Sequence, residues 1–108
     1  MNKQVTITKE DAKVSEYNFD IATILNTDED IAIYLNSILE DEDCNDKDIQ
    51  RALGNIARAR GMGKVAKNIE VARESLYKSL SEKTDAKFST IYKVIKNFGL
   101  TLKVEKVS

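Results

Sequence analysis

The chain has 108 residues, a net charge of −1, 42% apolar and 32% charged residues, no histidine, no proline and one cysteine. That is enough chain for one domain with a modest core, and it is too apolar for a disordered one. No run approaches the roughly 20 apolar residues that span a bilayer.

No basic region followed by an apolar one opens the chain, so no secretion signal and a cytoplasmic location are expected. Cys44 lies among acids and reads as a reduced thiol. Without histidine, and with a single cysteine, a zinc site or a histidine-based catalytic group is excluded; no cofactor is expected. The charge is split along the chain. Residues 1–45 hold three bases against eleven acids, a net of −8, and residues 46–108 hold fourteen against seven, a net of +7. A basic half suits phosphate contact. The acidic half would repel DNA or face a basic protein partner, and either half could also be no more than solvated helix faces.

Residues 1–18 read as a polar N-terminal arm. Val5 and Ile7 alternate with threonines as in a short strand, too short to stand alone. Phe19–Leu25 can form one or two helical turns, with Asn18 as a cap. Thr27, followed by Asp28, Glu29 and Asp30, marks a helix start, since a hydroxyl caps and acids complement the positive helix end. Ile31, Tyr34, Leu35, Ile38 and Leu39 then recur at helical spacing as one buried face. The acids Glu40–Asp43 would sit badly at a helix C-terminus, so the helix is expected to end near Leu39 or Glu40. These acids lack the ladder and closing glutamate of an EF-hand.

Asn45 caps the next predicted helix, whose inner face is Ile49, Ala52, Leu53, Ile56 and Ala57. Gly54 within it suggests a close helix approach. Arg58 and Arg60 lie near its C-terminus, where cations are favoured, and Gly61 ends it. Gly61-Met62-Gly63 is no phosphate loop, because the Walker spacing and a preceding strand are absent.

Residues 61–80 read as two short helices joined by a tight turn. The first spans about Met62 to Asn68 and buries Val65, Ala66 and Ile69. The turn falls near Glu70 and Val71. The second runs from about Ala72 to Ser81, burying Leu76 and Leu80 and exposing Arg73, Glu74, Ser75, Tyr77 and Lys78. This is the apolar spacing of a helix-turn-helix, whose second helix enters the DNA major groove. Two ordinary core helices would give the same spacing. Ser81–Lys87 is a polar loop. Phe88, Ile91, Tyr92, Val94, Ile95 and Phe98 mark one further helix, packed on one side and ended by Gly99 in a left-handed turn. Leu100, Leu102 and Val104 alternate with polar residues as in a strand, free to pair with Val5–Ile7, with a second copy or with a partner.

Three runs, DIAIYLNSILED (Asp30–Asp41), ALGNIARARGMGKVAKNIEVARESLYKSLS (Ala52–Ser81) and FSTIYKVIKNFGLTLKV (Phe88–Val104), resemble the addiction-module antidote proteins, helix-turn-helix antitoxins of the phage-repressor-like class. The resemblance covers roughly Phe19 to Val104. It implies an all-α, λ-repressor-like domain of about five to six helices with short terminal strand segments: a polar arm (1–18), a helical DNA-binding domain (19–99) and a strand-like tail (100–108). It implies an antitoxin that binds a small ribosome-dependent RNase toxin encoded beside it, and that represses its own operon as a dimer on operator double-stranded DNA. Three positions depart from the family pattern. Glu70 stands where glycine is usual, Ala72 where serine or threonine starts the recognition helix, and Gly63 where serine is common.

On that reading, Arg73 and Glu74 face base edges, guanine and cytosine respectively. Lys78 follows one turn later on the same face, the start of the helix at Ala72 approaches the groove, and Ser75 and Tyr77 touch phosphate or a thymine methyl. Tyr77 has a second option, packing on a neighbouring helix. Lys64 and Lys67 suit the backbone. Nothing in the sequence has catalytic spacing. The competing readings are a helical protein-interaction module without DNA binding and a phage-type repressor with no toxin partner.

Overall fold

The computed structural model describes residues 25–107, in which five helices each begin or end at a residue whose side chain or backbone freedom accounts for the boundary. The expected arm, its Val5–Ile7 alternation and the Phe19–Leu25 turn lie outside these residues, apart from Leu25, which is buried. Helix α1 spans Asp28–Leu39. Thr27 Oγ1 accepts from the Asp30 N–H at 3.0 Å, and the Asp30 carboxylate accepts from the Thr27 N–H at 3.1 Å. This is a reciprocal capping box with aspartate in place of the longer glutamate. The helix stops at Leu39, so Glu40–Asp43 form a loop in which the Asp41 carbonyl accepts from the Cys44 N–H.

Helix α2, Asp46–Arg60, begins with a second capping box between Asn45 and Asp48. It is the central element. Leu53, Ile56 and Ala57 have no exposed surface, and α1, the next helix and the last one all pack on it. Gly61, at φ 99°, ends it and turns directly into α3, Met62–Asn68. Helix α4 is Arg73–Ser79 and α5 is Phe88–Asn97. A Cβ on Gly54 would lie 3.4 Å from the Leu80 carbonyl oxygen, so the close approach expected at Gly54 is between α2 and the end of α4.

Both α3 and α5 end in the same way. The Val71 N–H donates to the Ala66 carbonyl and the Glu70 N–H to Lys67, while the Leu100 N–H donates to Ile95 and the Gly99 N–H to Lys96. These are Schellman motifs, which need a left-handed residue after the helix. Gly99 (φ 80°) supplies one and Glu70 (φ 64°) the other. Gly99 also has no room for a side chain, because a Cβ there would meet an Asp28 carboxylate oxygen at 2.7 Å. Asp28 in turn pairs with Arg60 at 2.6 Å, tying the start of α1 to the end of α2 beneath Gly99.

Several expectations change. Leu39, placed on the buried face, is exposed. Phe88 and Tyr92, read as core, are 68% and 44% exposed. The stripe of α5 that is buried or half-buried runs through Ile91, Val94, Ile95 and Phe98, while its first turn stands clear of the core. Phe88 and Tyr92 stack on each other instead, with centroids 6.1 Å apart. The tail is not a strand in this structure. Leu100 packs on the core, but residues 101–107 run exposed, and no second segment pairs with them among the described residues.

Candidate nucleic-acid interface

The α3–α4 pair presents a bare polar face because its apolar side is fully used. Val65, Ala66 and Ile69 of α3 and its end, with Leu76 and Leu80 of α4 and its end, are buried in one core. Val71 packs on that core from the turn. A small residue at 66 lets the helices close up, and Leu76, with no exposed surface, fills the angle between them. Seven residues make less than two full turns, so once Leu76 is committed inward, the other side chains of α4 except the half-buried Ser79 are left outward.

Arg73, Glu74, Ser75, Tyr77 and Lys78 are all exposed, as are Lys64 and Lys67 on α3. Ala72 is exposed with extended backbone (φ −68°, ψ 144°). It starts the helix without a side-chain hydrogen bond, so the first amides of α4 keep their donor capacity. Arg73 does not simply project. Its stem passes 3.6 Å from where a Cβ on Gly63 would be, and its guanidinium lies 5.2 Å from the Tyr77 ring centroid. Tyr77 therefore packs on its own helix through a cation–π contact rather than on a neighbouring one. It keeps 40% of its surface exposed. The glycine at 63 is what allows Arg73 to lie across the start of α3. No carboxylate among the described residues pairs with Arg73, Lys64, Lys67 or Lys78.

Beyond α4 the chain is anchored from α2 by residues that periodicity does not single out. Gln50 is buried, and its amide nitrogen lies 2.9 Å from the Ser79 carbonyl, 3.1 Å from Ser81 and 2.9 Å from Thr84. Its two protons are shared among three acceptors. Lys47 reaches the Thr84 carbonyl and Asp85, and Arg51 grips Glu82 through two parallel hydrogen bonds of 2.8 and 2.9 Å. The hydrogen bond to Arg51 holds the Glu82 carboxyl below the usual carboxylate range, and the same bond raises Arg51. The signal for Gln50 was available: it stands beside Ile49, three residues before Leu53, so the helical stripe carries an amide that burial obliges to find partners.

Cys44 lies away from this face. Burial, reinforced by Asp48 and Asp41, pushes its thiol up, which keeps it protonated and a poor nucleophile. Among the described residues no group of three or more His, Cys, Asp or Glu is arranged to hold a metal, and no helix is long and apolar enough to cross a membrane.

The comparisons with known proteins agree with one another. No solved structure matches the chain. It is 42% identical over 89 residues to an uncharacterized protein of Haemophilus influenzae, a match spanning 82% of this chain and 90% of that one. Residues 15–106 match a family model described as probable addiction module antidote protein. With nearly the whole helical region inside that match, the chain belongs to the addiction-module antidote family, the antitoxin half of a toxin–antitoxin pair.

Proposed function

We propose that this antitoxin works in two ways: it neutralises a small RNase-type toxin by direct binding, and it represses its own operon by binding operator DNA as a homodimer in the cytoplasm. On this reading α3 and α4 are a helix-turn-helix on a λ-repressor-like helical body. The supporting observation is the division of α4. Leu76 faces inward with no exposed surface, while Arg73, Glu74, Ser75, Tyr77 and Lys78 are exposed. A helix in the major groove needs such a face. Arg73 can take guanine O6 and N7, and Glu74 can accept from cytosine N4. Lys64 and Lys67 supply cations beside them for the phosphates.

A second reading, a protein-interaction module without DNA binding, is favoured by two features of the same motif. Glu70 holds a conformation better suited to glycine, and Ala72 offers no cap. A salt titration of binding to the DNA upstream of the gene separates the two. Operator binding gives affinity that falls steeply with salt, whereas flat or absent binding rejects the repressor. Toxin binding is tested by co-expression with the neighbouring reading frame. Growth rescue with co-purification is expected, and rescue without a complex would reject direct neutralisation.

A further inference from the structure

The three arginines of α2 are treated differently by their surroundings. Arg51 is neutralised by Glu82 and Asp48, and Arg60 by Asp28. Arg58 has no carboxylate partner among the described residues, yet it is held in place. Its Nη2 donates to Asn55 Oδ1, Asn55 Nδ2 donates to the Tyr34 hydroxyl at 3.1 Å, and its Nη1 lies 3.5 Å from the Cβ position of Gly54. A chain of neutral hydrogen bonds therefore fixes the guanidinium without cancelling its charge.

That guanidinium lines a groove between α2 and the end of α4, with Met62 and Leu80 among its apolar lining and Lys83 among its polar residues. Glu82 also lines the groove, but its carboxylate is engaged by Arg51. What remains is two uncancelled cations in a concave seat. Tyr77 borders this seat and also stacks under Arg73, so the groove adjoins the exposed face of α4.

We propose that Arg58, with Lys83 beside it, holds one phosphate of the DNA backbone next to the base pairs that α4 reads. This rests on the operator-binding reading and adds a contact outside the helix pair. A planar, fixed guanidinium suits a phosphate because its fork matches two phosphate oxygens, and a cation already ordered by Asn55 loses little freedom on binding. The contact carries no sequence information.

The test is a salt titration of the full-length protein on two duplexes, the DNA upstream of the gene and an unrelated duplex of the same length. Arg58→Gln removes the charge, and Arg58→Lys keeps it without the fork. For R58Q the slope of log affinity against log salt should fall by about 0.9, the loss of one phosphate contact. Binding to both duplexes should weaken by roughly tenfold, leaving the preference between them unchanged. R58K should restore the slope and only part of the affinity. Weaker binding of R58Q at an unchanged slope would mean a structural role and overturn the anchor. So would loss of preference between the duplexes. If the wild-type chain itself shows no salt-dependent binding, the operator reading fails and the anchor with it. A steep wild-type slope that R58Q leaves untouched removes the anchor alone.

Discussion

Glu70 and Arg73 lie three positions apart and carry opposite kinds of consequence. Glu70 sits at φ 64° because the Schellman ending of α3 demands a left-handed residue there, and its side chain is exposed and takes part in no hydrogen bond or ion pair. A residue with a Cβ costs roughly 1–2 kcal/mol in that conformation, offset in part by the extra freedom glycine loses on folding. Glu70→Gly should therefore stabilise the chain by about 0.5–1 kcal/mol, read as a higher urea midpoint with an unchanged slope. A lower midpoint would show that the carboxylate has a role the geometry does not reveal. Arg73, by contrast, stabilises little in the free chain: its contacts are an exposed ring and a 3.4 Å approach to the Tyr77 hydroxyl. Its effect belongs to DNA. Arg73→Ala should weaken cognate operator binding by about 1–3 kcal/mol in a gel-shift titration while relaxing the choice of base at one position. Unchanged operator affinity rejects that role.

At the scale of elements, α4 is too short to hold its own position and depends on the loop after it, Leu80 to Lys87. Gln50 accounts for much of that, since its amide serves the carbonyls of Ser79, Ser81 and Thr84 at the end of α4 and along the loop. Gln50→Ala should cost about 1–3 kcal/mol of unfolding free energy, because buried acceptors lose their donor. Urea denaturation measures it, and a loss under a few tenths would mean water replaces the amide at no penalty. The Arg51–Glu82 pair supports the same loop from the surface, with both side chains more than 40% exposed. Glu82 titrates below its unfolded value of about 4.3, so its contribution is present above that value and is lost as pH falls through the lower, folded one. Screened as it is, the pair contributes about 0.2–1 kcal/mol. The stability difference between the wild type and Glu82→Gln should shrink toward zero as pH drops below about 4. A difference that grows in acid contradicts the assignment.

These elements also show what a sequence can carry. Helix starts were legible at Thr27 and Asn45 because a cap is a local event, one side chain answering an amide three residues on. The α3 and α4 boundaries and the burial of Val65, Ala66, Ile69, Leu76 and Leu80 followed from spacing alone. Which apolar residues remain outside was not legible. Phe88 and Tyr92 fit the helical period as well as Val94 and Ile95, and their exposure depends on where α2 and α3 stop beneath them. The same holds for the tail: alternation at Leu100, Leu102 and Val104 states a preference for extended backbone, but a strand exists only where a neighbour supplies its hydrogen bonds. The contacts of Gln50 and Arg51 span about thirty positions, beyond any local pattern.

The molecule as a whole presents one short reading helix, and that limits what a single copy can recognise. Seven residues with three or four outward side chains contact only a few base pairs, too few to single out one site among the many competing sites of a genome. Charge sharpens the constraint. The chain is nearly neutral overall, and its excess of bases is confined to residues 46–108, so phosphate attraction by one copy comes from one side and cannot compensate through a broad basic surface. Two copies related by a two-fold axis double both the bases read and the phosphates contacted, and they place the two α4 helices on half-sites about 34 Å apart or a multiple of it. Sedimentation should therefore show a dimer at least when upstream DNA is present, and footprinting should show protected, inverted half-sites at that spacing. A monomer under both conditions, or a single protected patch with no inverted partner, would leave α4 without enough contacts to regulate an operon, and the operator reading would then have to be abandoned in favour of binding to protein alone.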